Sequence, residues 1–239
     1  MRVGLDMYTT MILAVGILLP SAPPEIPRPV RENGIAVSVR VTDPATEIVG
    51  TGVVLGVHEK YVHILTAAHL LGPGAKPRVE TFASGAVPKV DGVFDSCEVL
   101  MRLTAPDLAV LRLPAGKRTW RAVPLAPAEI PDLVKNTHPE RGWAIGCDDG
   151  KDPLLEAVPV TGARLIRRKD GEKNAFFWES AGKIVAGRSG GPLLDEKGRL
   201  IGICSGMQKD SSYYTHSFEI ASALKLNGLK WLLDEVDKR

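Results

Sequence analysis

Short runs rich in Val, Ile and Leu, cut at close intervals by Gly, Pro or Asp, leave this chain few folds to choose from. In the first part they fall at 35–41, 48–55, 61–65, 78–82, 99–103 and 108–113. In the second they fall at 143–146, 155–165, 175–179, 192–194 and 200–204, with 213–218 as an added edge strand. Many short strands separated by turn residues are the pattern of an antiparallel barrel or sandwich, an all-β chain. Glu59-Lys60 predicts one hairpin turn and Asp195-Glu196-Lys197-Gly198 another, with glycine last. The proline-bearing stretch 124–139 reads as the connection between halves. After Glu219 the spacing changes: Ile220, Ala223, Leu224, Trp231, Leu232 and Val236 recur at helical intervals, interrupted near Asn227-Gly228. This closing helix is expected to pack on the second half. Hydrophobic residues make up 44% of the chain but aromatics only 5%, so its core is built mainly from Val, Leu, Ile and Ala.

Chemistry is concentrated in Gly187-Arg188-Ser189-Gly190-Gly191-Pro192. A serine hydroxyl is a poor nucleophile unless a base takes its proton and fixed donors await the negative oxygen. Gly187, without a Cβ, can turn its amide toward the same point as the amide of Ser189. Gly190 and Gly191 let the chain leave a tight turn. The competing reading is a plain surface turn, since Ser, Gly and Pro cluster in turns for local reasons.

A base is offered by His69, which ends the strand-like run from Tyr61 after two small alanines, with Leu70 and Leu71 to anchor its loop. His58, His63, His138 and His216 lack that setting and read as ordinary polar residues. Asp107 opens the apolar run 108–113. A carboxylate there is partly buried and needs donors; an imidazole N–H would satisfy it and fix the tautomer that accepts a serine proton. The alternative is an Asp capping a turn. Asp91 and Asp95 compete as acids, but neither opens such a run.

The segment 66–69, Asp107-Leu108-Ala109-Val110-Leu111 and the stretch 187–192 resemble, in order, the three motifs of the trypsin-like (chymotrypsin-fold) serine peptidases. Gly50-Thr51-Gly52 and Trp143-Ala144-Ile145-Gly146 resemble two further landmarks, particularly of bacterial HtrA-like members. The resemblance covers residues 34–220. It implies two antiparallel six-stranded β-barrels, residues 34–128 and 143–218, joined by 129–142 and closed by a C-terminal α-helix at 219–239. No PDZ-like domain is expected after that helix. It further implies a serine endopeptidase acting on peptide or protein substrates without a cofactor. Ser189 would be the nucleophile, His69 the base and Asp107 its orienting acid, with the amides of Gly187 and Ser189 as the oxyanion hole. Ser205 matches a serine that the family places near the aspartate.

Arg188 departs from the pattern. Digestive-type members carry an aspartate there that pairs with a new N-terminal ammonium, which a guanidinium cannot do. The loop is therefore expected to be ordered by a carboxylate such as Glu179, or by substrate, and not by propeptide cleavage. The alternative is a misformed hole and a domain that binds peptides or proteins without cutting them. Lys183 falls where the family places the base of the primary specificity pocket, which implies a preference for acidic residues. A one-residue change of register would put Ile184 or Val185 there and favour small apolar residues instead. Met207 falls where a pocket wall is expected. An esterase of another fold would place its histidine last and a helix after the serine, the reverse of this order.

Residues 1–33 read as a signal or membrane anchor followed by an extended proline-rich linker: Arg2, an apolar stretch 11–19 too short to span a bilayer, small Ser21-Ala22, then five prolines up to Pro29. Export to a periplasm or cell envelope is the expectation. With 30 basic against 28 acidic residues there is no electrostatic footprint for nucleic acid. The basic run Arg167-Arg168-Lys169 beside Asp170-Gly171 reads as a charged hairpin tip. Cys97, Cys147 and Cys204 read as small buried hydrophobes, with a Cys147–Cys204 pair as the alternative, and no metal-ligand spacing occurs.

Overall fold

The computed structural model describes residues 24–83 and 87–236. The anchor expected at the very start of the chain lies outside these residues. The stretch expected to be an extended linker instead runs into a helix, α1 (Arg28–Val37). Proline in the first helical turn explains why: its missing N–H has no intrahelical partner there, and its fixed φ already suits a helix. Val30, Gly34 and Val37 bury the inner face, and Ser38 Oγ donates to the Gly34 carbonyl at 2.8 Å where the helix ends.

Seven antiparallel strands follow: β1 (Ser38–Asp43), β2 (Ile48–His58), β3 (Tyr61–Thr66), β4 (Arg78–Ala83), β5 (Lys89–Phe94), β6 (Glu98–Leu103) and β7 (Leu108–Pro114). Their order is β5-β4-β1-β2-β3-β7-β6. The two edge strands are neighbours in sequence, joined through residues 95–97, a link that reaches about 14 Å at most. The sheet must therefore roll up, bringing its edges close. It does not close, so the expected six-stranded barrel is here a seven-stranded sheet with a seam between β5 and β6. The physical reason lies at the seam: β5 is mostly solvent-exposed, and the Cys97 amide turns away to the Pro77 carbonyl at 2.9 Å.

The second half does close. β8 (Arg141–Gly146), β9 (Leu154–Arg167), β10 (Asn174–Ala181), β11 (Pro192–Leu194), β12 (Leu200–Gln208) and β13 (Ser211–His216) form a six-stranded barrel in the order β10-β13-β12-β11-β8-β9. β13 pairs with both β10 and β12, so the strand expected at an edge completes the barrel. Two helices end the fold, α2 (Ser217–Leu226) and α3 (Trp231–Val236), with the expected break at Asn227-Gly228. One continuous core joins the halves: Val53, Leu65 and Leu108 of the first pack with Trp143, Leu194 and Ile203 of the second and with Ile220 and Leu224 of α2.

His216, expected to be an ordinary polar residue, caps α2. It is buried, its Nδ1 accepts the Phe218 amide at 3.0 Å, and its ring lies on Trp178. Burial pulls its proton affinity down to a pKa of about 4. The unfolded chain therefore binds a proton below pH 6.5 that the folded chain refuses until about pH 4, and folding loses stability across that window. Urea unfolding should show about 2 kcal/mol of loss between pH 7.5 and pH 4.5 that is absent in His216→Asn, which keeps a capping acceptor. Equal losses in both proteins would refute the assignment.

Candidate active site

Asp107 is built into its place by the backbone. It holds a left-handed conformation, φ +55°, at the end of a turn closed by its amide on the Thr104 carbonyl at 3.2 Å. Asx residues tolerate that region better than most. The turn aims the side chain inward, where it is 1% exposed. Its own carbonyl accepts the Ala68 amide at 3.2 Å, its Oδ1 the His69 amide at 2.9 Å, and its Oδ2 the His69 Nδ1 at 2.8 Å. Because a carboxylate only accepts, Nδ1 carries the proton, and Nε2 of the neutral ring is left as an acceptor. Ser205 Oγ donates to the same Oδ2 at 2.6 Å. So His69, Asp107 and Ser205 come together as the resemblance implies. A further cation joins them: Arg168 Nη1 lies 3.1 Å from Asp107 Oδ2 and donates to Ser205 Oγ at 2.6 Å.

Ser189 is half-buried in the turn before β11. Its carbonyl accepts the Thr51 amide at 2.7 Å. The His and Ser turns meet across Gly50, where a Cβ would strike Leu70 on one side and the Ser189 carbonyl on the other. A Cβ on Gly190 would fall against Thr66 and 2.8 Å from the Ala67 amide, so the serine turn sits directly on the segment leading to His69. Two bonds to β12 fix the turn from behind: the Gly190 amide to the Cys204 carbonyl, 2.7 Å, and the Cys204 amide to the Gly191 carbonyl, 2.8 Å.

The loop bearing Gly187 and Ser189 is held from three directions. The Ala186 carbonyl accepts the Asp149 amide at 2.6 Å. In a trans peptide the C=O and N–H point opposite ways, so this bond turns the Gly187 N–H away from residue 149. Gly187 holds φ +90° with the Cys147 carbonyl where a Cβ would be; only glycine fits. Among the described residues, the Gly187 and Ser189 amides donate no hydrogen bond, leaving two donors for an incoming oxygen. Thr51, from the first half, supplies the second restraint: its Oγ1 donates to the Gly187 carbonyl at 2.7 Å and accepts the Cys147 amide at 2.9 Å.

The third restraint is Arg188. Its side chain turns inward, 5% exposed, and its Nε and Nη2 make a two-pronged pair with Asp148 at 2.9 and 2.5 Å. Nη1 reaches Glu156 at 2.5 Å. Burial works against the charge, but the two carboxylates outweigh it and raise its proton affinity. This corrects the expectation about Glu179, which is already paired with Arg164 at 2.8 Å and faces Tyr213. Glu179 sits on β10 opposite Gly162 of β9, whereas Glu156 lies near the other end of β9, opposite Ala144 of β8.

Lys183 does not stand at the base of a pocket: its ammonium is exposed and lies 3.9 Å from Asp210. Ile184 packs against the second-half core and Val185 is exposed. Met207 lines a cavity of about 390 Å³ with Ser205, Gly206, Gln208, Arg168 and Tyr213. Cys147 and Cys204 are not bonded to one another, and burial lifts the Cys147 thiol to about 12. Among the described residues no cluster of metal ligands occurs. Thr51, Asp148, Glu156 and Arg168 were missed as site residues by sequence reasoning. Part of the signal for Asp148 was available, an acid just past the end of a strand, but its arginine lies 40 positions away.

Two rolled antiparallel sheets, with a histidine–aspartate pair on one and a serine turn with free amides on the other, define a peptidase domain of the chymotrypsin type. The chain belongs to the trypsin-like peptidase family, whose domain model matches residues 50–203. It is 32% identical over 151 residues to the chloroplastic protease Do-like 1 of Arabidopsis thaliana, covering 62% of this chain but only 31% of that one. Its fold is similar to that of the Rv3671c protease of M. tuberculosis in an inactive form, at 19% identity and a TM-score of 0.61, covering 87% of this chain and all of the other. It is similar also to Deg5, at 22% identity and TM-score 0.63, covering 81% and 89%. A serine endoprotease from Yersinia pestis matches at 18% and 0.59, covering 90% and 68%.

Proposed function

We propose that this chain is a serine endopeptidase working through an acyl-enzyme, with Ser189 as nucleophile, His69 as base and Asp107 as orienting acid. The observation that carries the reading is Asp107 Oδ2 on His69 Nδ1 at 2.8 Å, which leaves Nε2 as the acceptor, on a loop that the serine turn abuts. The Ser189 hydroxyl gives its proton to Nε2 as Oγ bonds to the scissile carbonyl carbon. The carbonyl electron pair moves to oxygen, where the Gly187 and Ser189 amides receive it. His69 then hands the proton to the leaving amine as the C–N bond breaks, and water repeats the sequence on the ester. The reading of this domain as a non-cutting binder rested on a misformed hole. The anchored Ala186 carbonyl and the Asp148–Arg188 pair argue against it.

A fluorophosphonate probe tests the proposal on the full chain. Labelling should be stoichiometric near pH 8 and fall as pH drops and His69 takes up a proton. A folded protein that does not label, or a rate indifferent to pH between about 5 and 8, would overturn it.

A further inference from the structure

Arg168 lies at the turn of the β9–β10 hairpin, where the sequence predicts a solvated charge. Its neighbours Arg167 and Lys169 are indeed exposed. Arg168 alone folds inward. Its Nη1 touches Asp107 Oδ2 at 3.1 Å, Ser205 Oγ at 2.6 Å and the Ser205 carbonyl at 3.3 Å, while Nε is held by Asp170 Oδ1 at 3.2 Å. Asp107 is fully buried, so this contact is made out of water, where a charge counts for more than on the surface.

Resting on the proposed triad, we infer that Arg168 is a fourth member of it: a positioning residue that shares Asp107 Oδ2 with His69 and sets how strongly the imidazole holds its proton. Two positive groups on one carboxylate oxygen compete. The guanidinium is permanently charged, and it draws on the same negative charge that stabilises the imidazolium. The other charged groups around His69 are few: Asp107 beneath it, Asp170 beyond Arg168, and Arg102, whose Nε donates to the Ala68 carbonyl at 3.1 Å. Asp170 partly offsets Arg168: it is half-exposed, its Oδ1 holds the guanidinium Nε at 3.2 Å, and its charge also reaches His69. Removing the guanidinium would leave the whole of the Asp107 carboxylate charge to the imidazolium. The hairpin that supplies the arginine also walls the 390 Å³ cavity beside Ser205, so the turn is part of the site's architecture.

The test does not need turnover. Histidine ring nitrogens are followed by NMR against pH in the wild type, Arg168→Gln and Arg168→Lys. The His69 midpoint should rise by about half a unit to one unit in Arg168→Gln, and by clearly less in Arg168→Lys, which keeps the charge but loses the fork. Both substitutions are at a turn, and thermal melts will show whether the fold is kept. Superimposable His69 titrations in all three folded proteins would overturn the inference. So would equal rises in both variants, since loss of packing alone would do that. A wild type that titrates as expected but fails to label with the probe would instead sink the proposed function, so the two failures are distinguishable.

Discussion

Ser189→Ala is expected to abolish fluorophosphonate labelling and to cut peptide hydrolysis by roughly 10⁵-fold, with the melting temperature little changed. His69→Ala should cost about as much, and the double variant no more than either single one, because the residues act as a unit. The alanine side chain fits the half-buried turn without a new contact, and the turn's restraints run through backbone groups: the Ser189 carbonyl on Thr51, Gly190 and Gly191 on Cys204. What disappears is therefore chemistry and not structure. A Ser189→Ala protein that still cleaves a peptide at more than about a hundredth of the wild-type rate would mean that another residue attacks, and the triad assignment would fall. Additive losses in the double variant would argue against a shared proton transfer.

Arg188→Met is expected to lower kcat by a hundredfold to a thousandfold with a smaller change in KM, the signature of a lost oxyanion donor. The arginine joins the loop bearing Gly187 and Ser189 to Asp148 and Glu156, and no other side chain of the loop has such anchors. The single substitution also strands Asp148, which is 9% exposed, and should destabilise the fold by about 3 kcal/mol. Glu156 is exposed enough to be hydrated without its partner. The double variant Asp148→Leu with Arg188→Met separates the two effects: an apolar pair in place of the ion pair should restore most of the stability but not kcat. If the double variant regains kcat as well, packing alone orders the loop and the ion pair has no positioning role. Full activity in Arg188→Met would dismiss the loop's dependence on the pair altogether.

Most of the strands were legible in the sequence because burying one face leaves an apolar run of the right length. Those at 48–58, 61–66, 108–114 and 200–208 start where the apolar pattern starts. The β5 strand was not legible, since Lys89-Val90-Asp91-Gly92-Val93 is exposed and alternates weakly. Nor was α1, because its proline reads as a helix breaker until one knows that it sits in the first turn. His69, Asp107 and Ser189 were legible through their local settings, the first closing an apolar run, the second opening one and the third set among glycines, whereas Ser205 was legible only through the family resemblance. Arg168 and Lys183 show the limit. Both are cations in polar loops, and only one turns inward, toward a carboxylate 61 positions earlier that no local pattern connects to it.

By itself, then, the sequence determined that the chain is built from short antiparallel strands and that a histidine, an aspartate and a serine sit at strand ends with glycines around the serine. Those are local matters of period, turn chemistry and Cβ-free backbone. Tertiary structure alone decided that one sheet closes and the other keeps a seam, that Arg188 pairs with Asp148 and Glu156, and that Arg168 shares an oxygen with His69. A charge has no preferred direction along the chain; it goes to whichever opposite charge folding brings within reach, and burial then makes that choice costly to undo.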